Sequence, residues 1–422
     1  MVRVVTTRSM RSMHHVRASL LAVLLLLAAC SDVPPSSAPS SNPASVAPST
    51  APPSMASPSP KPELVPPEGR TWFGMNLDWA SETIPEVSER LGVTPAVWVQ
   101  FVRFPLTDGD RGNLVGFFEQ VGAAGAYGLV TLEPHDGLDA VTPEAAAEAA
   151  SVLNAAWIDH GVATFVRFAH EMNGSWYAWG QQSHAYVEAF RVVAEAVHAG
   201  SPASAMVWAP NEGAGYPFIG GAFGAAAGSL EAAAPDTDGD GEITRADDPY
   251  APYWPGDDAV DWVGMSLYFW GLEYPWGENE LAPAGRFAAQ LTGHATGAHG
   301  DEVAVPDFYA TYADGNDKPM AIIETAALYD PADGGTDEAT LKRAWFEQAF
   351  SAETRDAFPR IGMINWFEWR KDEPEVDAVV DWRMAGDAEL GRSLLASVPP
   401  GWLLFAEDRR DMTPSDSSGE EG

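Results

Sequence analysis

The sequence predicts an α/β protein, a (β/α)8 barrel with a calcium-loop insertion. Three observations carry the prediction. Eight short apolar segments alternate with helical patterns, as repeated βα units require. Once both termini are set aside, about 340 residues remain, an ordinary length for a barrel with insertions. Polar and aromatic residues gather directly after the apolar segments, at the end of a parallel barrel where function collects.

The N-terminal segment, residues 1–29, reads as a secretion signal. Arg3, Arg8, Arg11 and Arg17 precede an apolar run from Leu20 to Ala29 that is too short to span a bilayer as a mature helix. Its end, Leu27-Ala28-Ala29-Cys30, resembles a bacterial lipobox, which implies cleavage before Cys30 and lipidation of its thiol. Cys30 is the only cysteine, so the folded domain has no disulfide. A lipidated Cys30 holds the chain to the membrane at the extracellular face of the cell envelope; an ordinary signal peptide releases it. Residues 30–67 are rich in Ser, Pro and Ala, and bury too little apolar surface to offset the entropy of ordering, so they read as a tether. Residues 68–411 form the barrel, expected as a monomer, and the acidic residues 412–422 a disordered tail.

The chain has 24 basic and 60 acidic residues, a formal net charge of -36. Loss of the signal removes four arginines and no acids, leaving 20 basic residues against 60 acidic and a net charge of -40. A field of that sign excludes nucleic acid as a natural partner and disfavours anionic glycans. No motif argues for a redox cofactor, a nucleotide or zinc.

The strands are expected near 72–76, 98–104, 128–132, 164–168, 206–208, 262–268, 320–323 and 361–366. Helices are expected at 143–159, 183–199 and 336–351. The strand ends then carry Asn76, Glu133 with His135, His170-Glu171, Asn211-Glu212, Tyr268, Glu324 and Trp366-Phe367-Glu368-Trp369. Glu171 follows a short apolar strand and is itself followed by Trp176, Tyr177 and Trp179; Glu324 ends another apolar strand 153 residues later. Two carboxyl groups on one rim suit glycosidic cleavage, in which one protonates the departing oxygen while the other attacks or steadies an oxocarbenium-like centre. Aromatic rings offer flat faces to sugars. Glu133, Glu212 and Glu368 are rivals for the second role.

The phrase His170-Glu171-Met172-Asn173-Gly174, with Trp176, Tyr177 and Trp179 after it, closely resembles the acid/base motif of family 26 glycoside hydrolases, best known as β-mannanases. The resemblance implies a retaining endo-β-glycanase acting on a neutral polysaccharide, with β-1,4-mannan first and mixed-linkage β-glucan or xylan as alternatives. It implies Glu171 as acid/base and Glu324 as nucleophile, Tyr268 orienting the nucleophile, and His170 holding sugar and setting the protonation of the acid. Trp366 is then expected as the floor under the sugar, Trp176 and Trp179 as stacking platforms or loop packing, and His135 and Asn211 as hydrogen-bonding groups. Ala178 and the stretch Thr325-Ala326-Ala327 depart from the commonest family pattern. A barrel of another class, a surface glycan-binding protein without turnover, fits the same aromatics.

Between the fifth and sixth strands lies Asp236-Thr-Asp238-Gly-Asp240-Gly241-Glu242-Ile243, followed by Asp247. Acids at relative positions 1, 3, 5 and 12 with Gly at 6 match a calcium loop of EF-hand type, in which the carbonyl of Glu242 is the position-7 ligand. Asp247 stands where a bidentate Glu is usual. A structural Ca²⁺ pinning the insertion is expected; a solvated acidic hairpin is the alternative.

Overall fold

The computed structural model describes residues 64–412, apart from 227, 298 and 299. The signal segment, Cys30, the tether up to residue 63 and the tail from residue 413 lie outside the described residues. Eight strands form the barrel: β1 (Thr71–Leu77), β2 (Val97–Arg103), β3 (Tyr127–Glu133), β4 (Thr164–Phe168), β5 (Ser204–Trp208), β6 (Trp262–Ser266), β7 (Met320–Thr325) and β8 (Ile361–Glu368). Each is parallel to its neighbours in chain order, and β8 pairs with β1 from Trp72↔Met363 to Leu77↔Glu368, which closes the sheet. All eight expected segments are strands.

Closure follows from what each strand turns inward. Alternate residues, among them Trp72, Val99, Leu129, Phe165, Trp262, Ile323 and Met363, form one cluster inside the sheet, while the intervening residues join the core beneath the helices. Trp72 stacks on Trp262 at 5.9 Å and meets Phe165 at 5.6 Å. These rings from β1, β4 and β6 touch only because they cross the lumen, so the barrel is a packed core and not a pore. Gly74 admits the Asn365 side chain, since a Cβ there would lie 1.9 Å from Asn365 Oδ1.

The helices that concern the site and the core include α1 (Ile84–Leu91), α2 (Asp108–Ala124), α3 (Pro143–His160), α4 (Ser183–Gly200), α5 (Arg286–Leu291), α6 (Glu338–Ala349) and α7 (Ala388–Ser397). The signals for α3 are local: Thr142 accepts the Ala145 N–H, Pro143 opens the first turn and Gly161 closes the helix in the left-handed region. Between β5 and β6 the only α-helix among the described residues is the single turn Leu230–Ala233. Aromatic packing covers β5 instead: Trp208 lies 4.9 Å from Trp254 and stacks on Phe308 at 5.7 Å.

One boundary moves. Composition assigns Leu64 to the tether, yet it is buried against the inner cluster and its carbonyl accepts the Trp262 indole N–H at 3.0 Å. A single leucine in a polar run leaves no periodic signal; its partner lies 198 residues away.

Candidate active site

The first carboxyl group is set by a turn that leaves β4. Ala169 and Glu171 have φ of 46° and 53°, left-handed values unusual for residues with a Cβ. Such strain costs about 1–3 kcal/mol per residue and persists only when neighbours over-determine it. Here they do: the Ala169 N–H donates to Leu132 O on β3 and the Glu171 N–H to Ala209 O after β5, both at 2.9 Å. Asn173, fully buried, donates to Asn211 O at 2.9 Å and accepts the Asn211 N–H at 2.8 Å, which ties the two strand ends together. Gly174 is required because its Cβ would fall 2.3 Å from the Trp176 ring. That ring is held so that its Nε1–H donates to Glu171 Oε2 at 2.9 Å.

The second carboxyl group, Glu324, is gripped at both oxygens. The Tyr268 hydroxyl donates to Oε2 at 2.6 Å, and the Arg167 guanidinium meets Oε1 at 2.6 Å as an ion pair with poor N–H alignment. Arg167 is fully buried on β4, donates its Nε–H to Thr131 Oγ1 at 2.9 Å and lies 5.0 Å from the Phe101 ring centre. A buried cation of this kind needs a carboxylate partner, and it locks the orientation of the group it pairs with. Sequence reasoning passed over Arg167 as a site residue. Its position three residues before His170, on a strand otherwise apolar, was the available signal.

The surroundings of Glu171 change its acidity. Burial, and then the negative charge of Glu324, raise the Glu171 carboxyl to a pKa of about 7. Glu171 therefore retains a proton up to near neutrality, as a general acid must. Burial and the Arg167 charge push the His170 imidazole well down, so it is neutral; its Nε2 lies 3.3 Å from the Tyr177 hydroxyl and its Nδ1 is buried without a protein partner.

The rival carboxylates are otherwise engaged. Glu368 accepts the amides of Met384 and Ala385, each at 2.8 Å, and Glu212 accepts that of Ala214 at 2.9 Å. Glu133 interacts with His135 Nε2 at 3.3 Å. Burial raises all three, Glu368 to about 7. Among these carboxylates, Glu324 is the one whose charge acts on Glu171.

One expected sugar contact, Trp366, is misplaced, and Trp179 takes the loop-packing alternative. Trp366 is fully buried, donates its Nε1–H to Trp382 O at 2.9 Å and packs 5.7 Å from Phe346 of α6, so it faces the helices and not the cleft. The cause is strand parity: Ile364 and Trp366 face outward, whereas Phe367 approaches Tyr268 at 5.7 Å and stacks on Trp369. Trp382, from the loop after β8, packs beside Tyr268 at 5.3 Å, but it too is buried, with its Nε1–H donating to Glu373 Oε1 at 2.6 Å. Trp179 is likewise buried, stacked on Tyr177 at 4.5 Å with its Nε1–H bonded to His170 O, and is loop packing. Trp176 is 37% exposed, His135 is part-exposed against Trp179, and Asn211 joins the β4 and β5 ends.

In the insertion, Asp236, Asp238 and Asp240 bring one carboxylate oxygen each to within 4.8 Å of one another. Asp247 is not with them. Its oxygens accept the amides of Thr237, Asp238 and Thr244 and the Thr237 hydroxyl. Burial alone would raise its pKa, and these amide bonds reverse that to below the ordinary value. Asp247 thus closes the loop from within. The Glu242 N–H donates to Asp240 Oδ1 at 2.8 Å.

The barrel thus carries one glutamate just after β4 and a second at the end of β7, both at the C-terminal rim of the sheet. Among solved structures the chain is similar to a double mutant of the Cellulomonas fimi endo-β-1,4-mannanase, with 17% identity over 81% of this chain and 73% of that one and a TM-score of 0.51. It is also similar to the catalytic domain of a GH26 endo-β-1,4-mannanase from Bacillus sp. JAMB-750, with 15% identity over 80% and 88% of the two chains and a TM-score of 0.50. At such identities the likeness establishes the fold. No family model and no curated protein sequence matches the chain.

Proposed function

We propose that this chain is a retaining endo-β-glycanase of neutral polysaccharide, with β-1,4-mannan as its substrate. The observation that carries the reading is the buried Glu171, its carboxyl raised to a pKa of about 7 by burial and by the charge of Glu324, at the same rim as a Glu324 held by Tyr268 and Arg167. Because Trp176 occupies Glu171 Oε2, Oε1 carries the proton and delivers it to the glycosidic oxygen. Glu324 attacks the anomeric carbon as that C–O bond breaks, giving a glycosyl ester on the enzyme. The ester has lost the charge that raised Glu171, so the Glu171 pKa falls and its carboxylate becomes a base suited to deprotonating water. Water then displaces Glu324 with net retention. His170 Nδ1, buried and free of protein partners, is available to a sugar hydroxyl.

A reducing-sugar assay on mannan, glucomannan, lichenan and xylan tests the reading. Mannan turned over fastest is the expected result. Fastest turnover of lichenan or xylan reassigns the substrate, and retention of glycan without turnover on any of the four makes the barrel a binding protein.

The insertion holds a structural Ca²⁺ in this proposal, with Asp236, Asp238 and Asp240 and the Glu242 carbonyl as ligands; three clustered carboxylates and the turn at Gly241, φ 95°, support it. Ion binding is folding energy for the insertion. EDTA is expected to lower the Tm, and Ca²⁺ to restore it in the wild type but not in Asp240→Ala. An unchanged Tm in both removes the metal.

No described helix is long and apolar enough to cross a membrane. We further propose that Cys30 carries the lipid and that the tether holds the barrel off the envelope. Cys30→Ser is expected to move the protein from the membrane fraction to the medium; equal release of both forms, with no lipid found by mass spectrometry, makes the protein a secreted one.

A further inference from the structure

The loop after β6 bears an aromatic surface that the reaction itself does not use. From Tyr268, whose hydroxyl holds the nucleophile, rings run outward in three steps: Trp270 at 6.3 Å, Trp276 at a further 5.8 Å and Tyr274 at a further 5.3 Å. Tyr268, Trp270 and Trp276 are each half-buried, and Tyr274 at the outer end is 53% exposed. Leu272 beside them is also exposed. Rings that served only to fill a core would be buried. An apolar surface continuous with the cleft marks a ligand-binding face.

The loop is fixed in place. Asn279, 4% exposed, donates its backbone N–H to Asp333 Oδ2 and its side-chain amide to Asp330 O, and accepts the Asp330 N–H, each at 2.8 Å. Its carbonyl takes the Thr336 N–H at 2.9 Å. Glu280 Oε2 accepts the Leu272 N–H at 2.8 Å and closes the loop on itself. Trp382 backs Trp270 at 4.9 Å in an edge-to-face contact. The aromatic surface is therefore organised before any ligand arrives, which lowers the entropic cost of using it.

We infer that Trp276 and Tyr274 form a distal subsite for the same polysaccharide chain, binding sugar units several residues from the bond cleaved. This rests on the glycanase reading above. Ring faces suit the apolar faces of pyranose sugars, and the strongly negative net charge leaves a neutral glycan as the ligand. A chain bonded at Glu324 passes Tyr268 and Trp270 before it reaches the two outer rings, so the subsite rewards long substrates over short ones.

The test compares wild type, Trp276→Ala, Tyr274→Ala and Trp276→Phe, all checked for unchanged Tm, on linear manno-oligosaccharides of rising length and on mannan. The ratio of kcat/KM for the longest to the shortest substrate cleaved is expected to fall about tenfold in Trp276→Ala, less in Tyr274→Ala, and to recover in Trp276→Phe. Gel retardation by mannan, glucomannan, lichenan and xylan reads binding without turnover. An unchanged length ratio with unchanged retardation overturns the subsite while the glycanase reading stands. Absence of turnover with retardation that still depends on Trp276 overturns the glycanase reading and leaves the binding surface. Loss of both overturns both.

Discussion

Glu324→Ala is expected to lower kcat on polysaccharide by about 10⁴-fold or more, because the attacking group is gone and no neighbouring carboxylate can replace it. Glu368 and Glu212 are held by backbone amides, and Glu133 is engaged with His135. Azide added to this variant occupies the vacated space and attacks the anomeric carbon directly. The expected product is a glycosyl azide of inverted configuration, read by NMR. Rescue with retention, or activity within tenfold of wild type, would assign the nucleophile elsewhere. The retaining mechanism further predicts carboxyl groups about 5–5.5 Å apart; a crystallographic separation near about 9 Å would make the enzyme inverting.

The pH profile carries the second large effect. Burial and the Glu324 charge raise Glu171 to about 7, so the acid is fully protonated well below that value and loses its proton as pH rises through it. The kcat/KM of the free enzyme should accordingly fall on an alkaline limb centred near 7. Glu171→Gln should lower turnover of unactivated polysaccharide by about 10²–10⁴-fold and abolish that limb. An aryl glycoside with a good leaving group should still be attacked at a substantial rate, since its departure needs no proton, and azide should then give a product of retained configuration. An alkaline limb that persists in Glu171→Gln would place the titrating acid on another residue. Trp176→Phe is a useful companion: it removes the N–H that occupies Oε2 and should move the limb to higher pH, because that bond favours the charged form.

The barrel and its two glutamates were legible because their signals are local. Each strand is a run of a few apolar residues between helical periods, and each of α3, α4 and α6 falls within two residues of its expected span. His170, Glu171 and Gly174 lie in one phrase whose turn demands them: the Gly174 position has no room for a Cβ, and the left-handed Glu171 is bonded to the next strand. Glu324 was legible because it ends an apolar strand at the same rim as the His170-Glu171 phrase, where a second carboxylate completes the pair.

The tertiary structure decided which side chains meet. Strand position does not state which face of β8 looks into the cleft, and a shift of one residue reverses it; Trp366 consequently faces α6, and Trp382, from outside any motif, stands beside Tyr268. Arg167 and Glu324 are paired across 157 residues of sequence and joined only by closure of the sheet. The spacing of Asp247 fits a ligand, yet its oxygens go to the loop amides, since hydrogen-bond direction is set by the folded backbone. Periodicity and motif spacing are properties of neighbours along the chain and fix elements and candidate chemistry. Partners, facing and protonation come from contacts between distant segments and from burial, which exist only once the barrel has closed.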